Sequence, residues 1–100
     1  MDAIRRAERA LRVYGEIKRT RTEGGADTQA FVARIAAAIS VLPLEEQYTI
    51  VRLYIEGLTN ETAAEADECD PSTVSRRKKR ALERVAMYLY TDQYIREFDL

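Results

Sequence analysis

Apolar residues recur along the chain at helical spacing, and the interruptions divide it into segments. Ile4, Ala7, Leu11 and Tyr14 follow one another at spacings of three, four and three, with Ile17 prolonging the stripe and arginines on the other faces. This predicts a basic amphipathic helix over residues 1–22. Gly24 and Gly25 make continuation costly, so 23–27 reads as a hinge. Asp27 or Thr28 is then expected to cap a second helix with Phe31, Ile35, Ala38, Ile39 and Leu42 on one side. Pro43 ends that helix and opens the next, with Glu45 and Glu46 in a first turn that faces the positive end of its dipole. Tyr48, Val51, Ile55 and Leu58 are expected to bury one face of this third helix, with Ile50 and Tyr54 beside it, until Gly57 breaks the run. Residues 28–58 thus supply two core helices.

Two short pieces of helix grammar follow. Thr59 or Asn60 precedes the run ETAAEA as an N-cap, and Asp70-Pro71 places an acceptor at a cap and a proline at the first helical position. A turn of about four residues lies between. The segment 59–87 therefore reads as a helix-turn-helix whose second helix runs from Pro71 through at least Met87. Residues 88–100 form an aromatic C-terminal extension. With Met87 before it, Tyr88, Leu89, Tyr90, Tyr94, Ile95 and Phe98 make it too apolar for an idle tail, and packing back onto the first helix is favoured over an oligomer or polymerase contact. No strand alternation or hairpin dipeptide competes. The expected fold is all-α, four to five helices in a single domain over 1–100.

Composition narrows the chemistry. The 100 residues include one cysteine, Cys69, and no histidine. That removes the usual zinc ligand sets, the Cys-His nucleophile pair and the Ser-His-Asp triad. Cys69 reads as a small core residue of the turn. No catalytic residue, metal or cofactor is expected. Glu61, Glu65 and Glu68 align on one helix face, but no activated nucleophile or phosphate loop accompanies them, so an enzyme is disfavoured. No apolar run reaches the roughly 18 residues a membrane span needs, and the Arg-rich start lacks a signal-peptide segment, so the expected compartment is the cytoplasm.

The net charge of −1 hides blocks of opposite sign: +4 over 1–22, −7 over 44–70 and +5 over 71–86. A nucleic acid responds to the local patch, because attraction across solvent fades within about 8–10 Å at moderate salt. Turning 100° per residue from Val74 puts Lys78, Ala81 and Val85 on the inward side, with Leu82 at its margin. Ser72, Arg76, Lys79 and Glu83 fall opposite, and Thr73, Arg77, Arg80 and Arg84 form a flank. An α-helix fits the major groove, where Arg or Lys donates to guanine acceptors and hydroxyls reach several partners. Ser72, Thr73, Arg76 and Lys79 are accordingly the candidate base contacts. Arg77, Arg80 and Arg84 suit phosphates, joined by the amide groups near Thr59 and Asn60 at the start of the short helix. Arg5, Arg6, Arg9 and Arg12 spread around the first helix; a solvated surface is favoured over an auxiliary DNA contact or a partner-binding helix, with Ile4, Leu11 and Tyr14 as core or dimer packing.

Residues from about Leu42 to Val85 resemble region 4 of bacterial sigma factors. Leu42-Pro43, Gly57-Leu58-Thr59, Ala64, the run Ser72-Thr73-Val74-Ser75-Arg76, and Arg80-Ala81-Leu82 carry the likeness. The overall size, with a basic helix in front, is similar to small phage-encoded sigma-like regulators of the ArpU type, which act in late gene transcription. The resemblance implies a DNA-binding module whose helix from Pro71 enters the major groove and whose other surfaces meet RNA polymerase. It places Ser72, Thr73, Arg76 and Lys79 at bases, with Thr59, Arg77 and Arg80 near the backbone. This chain departs from the pattern at Glu68, where the family usually has glycine, and at Asp67, where a large apolar residue is usual. Arg77 and Lys78 also stand where one more apolar residue is general. The motif's interior is thereby reduced to Ala63, Ala64, Cys69, Val74, Ala81 and Leu82, and it is expected to lean on helices outside the motif.

The reading that follows is a DNA-binding transcriptional regulator, phage or prophage encoded, with double-stranded DNA as partner. One such motif offers few base contacts, so a homodimer or RNA polymerase is expected to supply the remaining affinity. The alternative is a protein-interaction module of sigma-like shape that binds RNA polymerase or another regulator without reading DNA. The acidic 44–70 segment and the thin motif interior favour it.

Overall fold

The computed structural model describes residues 2–21 and 23–98, and these are helical with no strand among them. Met1, Thr22, Asp99 and Leu100, at the limits of the first and last predicted segments, lie outside the described residues. Helix α1 spans Ala3–Thr20, α2 Ala26–Ser40, α3 Leu44–Ile50, α4 Asn60–Ala66, α5 Pro71–Leu89 and α6 Thr91–Phe98, with a π-helical turn at Val51–Ile55 prolonging α3. Six α-helices among the described residues exceed the expected four to five because the C-terminal extension is a helix of its own. The break falls at Tyr90, whose φ of −129° and ψ of 48° leave the helical region, and no glycine or proline marks it.

Local chemistry fixes most helix ends. The Asp2 carboxylate accepts from the Arg5 amide at 2.7 Å and caps α1. Thr59 caps α4, exchanging hydrogen bonds with Thr62 in a capping box. Pro71 occupies the first turn of α5, as expected, but the N-cap Asp70 makes no side-chain cap hydrogen bond, so its expected acceptor role is not taken up. The start of α2 lies earlier than predicted. Gly25 is its N-cap, without a side-chain bond, and Asp27 falls inside the first turn, where its charge still meets the positive end of the dipole.

Helix α5 is the spine, packing against α1, α2, α3, α4 and α6. Its Ala81, Leu82, Val85, Ala86 and Leu89 join Leu11, Tyr14, Ile35, Ile50 and Tyr94 in the main core. A second, smaller core of Ala63, Ala64 and Val74 lies between α4 and the start of α5, with Leu53, Leu58 and Cys69 half-buried against it. Leu53 touches both cores, which is how the α4–α5 unit leans on the rest of the chain. Helix α6 closes on α1 and α5, and Glu97 accepts from the Ala3 amide at 2.7 Å.

The buried face of α3 differs from the one apolar spacing predicts. Glu46, Thr49 and Ile50 are inside, with Tyr54 beyond them, while Tyr48 is 59% exposed. Two polar side chains hold core positions because each has a partner there. Thr49 Oγ1 donates to the Glu45 carbonyl at 3.0 Å, and Glu46 Oε1 lies 3.1 Å from Arg84 Nε, an ion pair that leaves this buried oxygen without a hydrogen bond. In the π-helical turn the Glu56 amide reaches back five residues to the Val51 carbonyl, which widens the helix by one residue. This turn meets α1 at Gly15, where an added Cβ would stand 1.7 Å from the Tyr54 carbonyl oxygen. The same oxygen accepts from Arg19 Nη1 at 2.7 Å.

Candidate nucleic-acid interface

Helices α4 and α5 are joined by the turn 67–70, and its geometry follows from unpaired carbonyls at the end of α4. The Cys69 amide bonds to the Ala64 carbonyl at 2.9 Å and the Glu68 amide to Glu65 at 3.3 Å, the two bonds of a Schellman ending. That ending needs a left-handed residue, and Glu68 takes it with φ of 54°. A side chain there costs about 1–2 kcal/mol. Glu68→Gly is therefore expected to stabilise the chain by about 0.5–1 kcal/mol after the greater unfolded-state entropy of glycine is counted. Urea unfolding measures it, and a destabilised variant would contradict the assigned strain.

Asp67 does not enter the small core. It takes Arg52 Nε at 2.7 Å, so an ion pair across to the π-helical turn stands where an apolar contact is missing. The start of α4 is tied to α5 by Asn60 Nδ2, which donates to Ser75 Oγ at 3.0 Å. Sequence reasoning missed this link, since no local pattern relates the two residues.

On α5 the inward side carries Val74, Ala81, Leu82 and Val85, all buried. Ser72, Arg76, Lys79 and Arg80 are exposed, and Thr73 and Arg77 are half-buried. Arg76 Nη2 donates to Thr73 Oγ1 at 3.2 Å. Arg76, Arg77, Lys79 and Arg80 have no carboxylate within ion-pair distance among the described residues. Thr59 is exposed and Asn60 half-buried at the start of α4. The structure thus brings eight of the nine predicted contact residues onto α5 and the adjoining start of α4 without engaging their charges. Arg84 differs. Its guanidinium is held against the buried Glu46 carboxylate, which ties α5 to α3.

Lys78 is also occupied, as its inward phase requires. Its Nζ lies 3.3 Å from Glu8 Oε2, which accepts from the Tyr54 hydroxyl at 2.6 Å, while Arg12 approaches the other oxygen at 3.4 Å. These groups join α1, the π-helical turn and α5. Burial raises the Glu8 pKa, but the Tyr54 hydrogen bond, Lys78 and Arg12 outweigh it and hold the carboxyl below its ordinary value. Burial, and then the Glu8 charge, push the Tyr54 phenol well above its own, so Tyr54 remains the donor. With the folded pKa of Glu8 depressed, its stabilisation is full above the unfolded value and is lost as pH falls through the folded one. Glu8→Gln should therefore flatten the fall in melting temperature below about pH 5; an unchanged acid limb would exclude Glu8 as a contributor.

A cleft of about 690 Å³ beside the start of α4 is lined by Glu8, Arg12, Glu16, Arg19 and Lys78 among others. Each of its cations already pairs with an acid, which leaves no net charge to attract a ligand. No helix among the described residues is long and apolar enough to cross a membrane. Comparison with protein-family models, curated proteins and solved structures finds no match.

Proposed function

We propose that the protein is a transcriptional regulator that binds double-stranded DNA, with α5 from Pro71 lying in the major groove. The observation that carries this reading is the group of four uncompensated cations, Arg76, Arg77, Lys79 and Arg80, on the solvent side of a helix packed along its opposite side. Ser72, Thr73, Arg76 and Lys79 meet base edges, while Arg77 and Arg80 neutralise phosphates beside Thr59 and Asn60. The likeness of Leu42 to Val85 to sigma region 4 supports the same role, in a phage or prophage setting, and so does the basic helix in front. A single such motif grips few base pairs, so RNA polymerase or a second copy of the chain supplies the rest of the affinity.

Selection of bound sites from a random duplex library at two salt concentrations tests the proposal. The expected result is a recovered consensus whose affinity falls with salt by about 0.9 in log–log slope for each neutralised phosphate. Recovery of unrelated sequences at both concentrations would overturn it. A second reading, a protein-binding module without DNA readout, draws on Val41, Leu44 and Tyr48, which are 61%, 66% and 59% exposed around the α2–α3 corner. It predicts no mobility shift of any duplex by the protein alone and a shift only when polymerase is added.

A further inference from the structure

Four arginines gather at the end of the molecule remote from the start of α5. Two adjoining hollows there share Arg6, Tyr90 and Gln93 in their walls. The first, of about 540 Å³, is otherwise lined by Arg9 and by the apolar Ala10, Val13 and Phe31. The second, of about 530 Å³, adds Arg34 and Arg96, with Asp92 as its one carboxylate.

Two of the guanidinium groups are held in place by neutral partners. Arg6 lies 4.1 Å over the Tyr90 ring and donates to Gln93 Oε1 at 2.9 Å. Arg34 approaches the same ring at 5.8 Å and donates to the Leu89 carbonyl at 2.7 Å. None of Arg6, Arg9, Arg34 and Arg96 is within ion-pair distance of a carboxylate among the described residues. Elsewhere among the described residues Arg12, Arg19, Arg52, Lys78 and Arg84 pair with acids, whereas Arg76, Arg77, Lys79 and Arg80 on α5 do not. Four like charges around a concavity with Asp92 as the one carboxylate in its walls repel one another, and an anionic group that enters relieves the repulsion while receiving planar, multidentate donors.

We infer that these two hollows bind a peptide segment of a partner protein that presents carboxylates next to an apolar side chain. The carboxylates face Arg34 and Arg96, and the apolar side chain rests on Val13 and Phe31 across the Tyr90 ring. The apolar hollow favours an acidic peptide over a duplex, whose bases are paired inside and which presents only phosphates and sugars to such a surface, whereas an acidic peptide has both chemistries in one short run. The site stands apart from the proposed DNA contacts. Along α5 the nearest proposed DNA contact, Arg80, lies about 13.5 Å from Leu89, beyond one screening length at moderate salt. The inference does not rest on DNA binding, and both partners fit the chain at once.

The test selects peptides from a random twelve-residue display library on the full chain, then titrates fluorescein-labelled winners by anisotropy. Arg9→Gln/Arg96→Gln is the informative variant, since neither side chain makes a polar contact within the described fold. Acid-rich winners carrying an apolar residue are expected, with affinity falling at least tenfold in that variant and in Val13→Asp while the melting temperature holds. Binding should be unchanged in Arg76→Ala/Lys79→Ala. The inference is overturned if no peptide is enriched, if the winners lack acids, or if Arg9→Gln/Arg96→Gln leaves their binding intact. A random-sequence duplex whose affinity drops tenfold in Arg9→Gln/Arg96→Gln would overturn it in favour of nucleic acid.

Discussion

Gly15→Ala should cost the fold about 3 kcal/mol, the upper end of what overpacking a core does. The new Cβ would stand 1.7 Å from the Tyr54 carbonyl oxygen and 2.6 Å from its carbon. Those are backbone atoms, so no side-chain rotation relieves the clash, and α1 must withdraw from the π-helical turn. Withdrawal also pulls Arg19 off the Tyr54 carbonyl and strains the Tyr54–Glu8 hydrogen bond, both of which need α1 at its present depth. For a domain whose whole stability is about 5–15 kcal/mol this is a large fraction. Gly25→Ser is the control. Its Cβ meets nothing within 4 Å, and serine is a better N-cap, so stability should hold or rise by a few tenths of a kcal/mol. Urea unfolding followed by far-ultraviolet circular dichroism reads both, and a Gly15→Ala variant within about 0.5 kcal/mol of the parent would refute the close approach.

On the functional side, Arg76→Ala/Lys79→Ala should abolish preference for the selected duplex and weaken binding to it at least thirty-fold. Each good contact of a cation with base acceptors is worth about 1–3 kcal/mol of discrimination, so two lost contacts cost about 2 kcal/mol at the least. Both side chains are exposed and neither is ion-paired, so the melting temperature should not move. Arg77→Gln/Arg80→Gln separates the roles. It should weaken all duplexes alike and flatten the salt dependence by about 0.9 per residue, without changing which sequence is preferred. Unaltered discrimination after Arg76→Ala/Lys79→Ala would remove both residues from the base-reading role.

The features legible in the sequence are those decided by local backbone chemistry or by a uniform helical phase. Thr59 as a cap, Pro71 in a first turn and the break at Gly57 need only their neighbours, and the structure has all three. The inward side of α5 follows from 100° per residue because α5 is long and regular. What was not legible depends on a partner far along the chain. Glu46 is buried because Arg84 comes to it, and no count of apolar residues marks a carboxylate as core. The same pair engages Arg84, which phase alone assigns to the exposed flank. Lys78 falls inward by phase, but Glu8 and Tyr54 as its companions could not be read off spacing. The turn at Tyr90 lacks the usual breakers, so α6 passed as an extension. The gathering of Arg6, Arg9, Arg34 and Arg96 was equally hidden, because it assembles three helices whose arginines look scattered when each helix is read alone.

The division into two cores has a consequence for cooperativity. The far half of α5 is anchored among large side chains of four other helices, whereas its opening turns rest on two alanines, one valine and a few half-buried neighbours. Opening the tip exposes little apolar area, so α4 and the first turns of α5 can part from the body at a fraction of the free energy of global unfolding. Amide protons there should exchange through this partial opening, while those of Ala81 to Leu89 wait for the whole chain. The end that carries Arg76, Arg77, Lys79 and Arg80 is thus the pliable one, and any partner that grips it also tightens the fold.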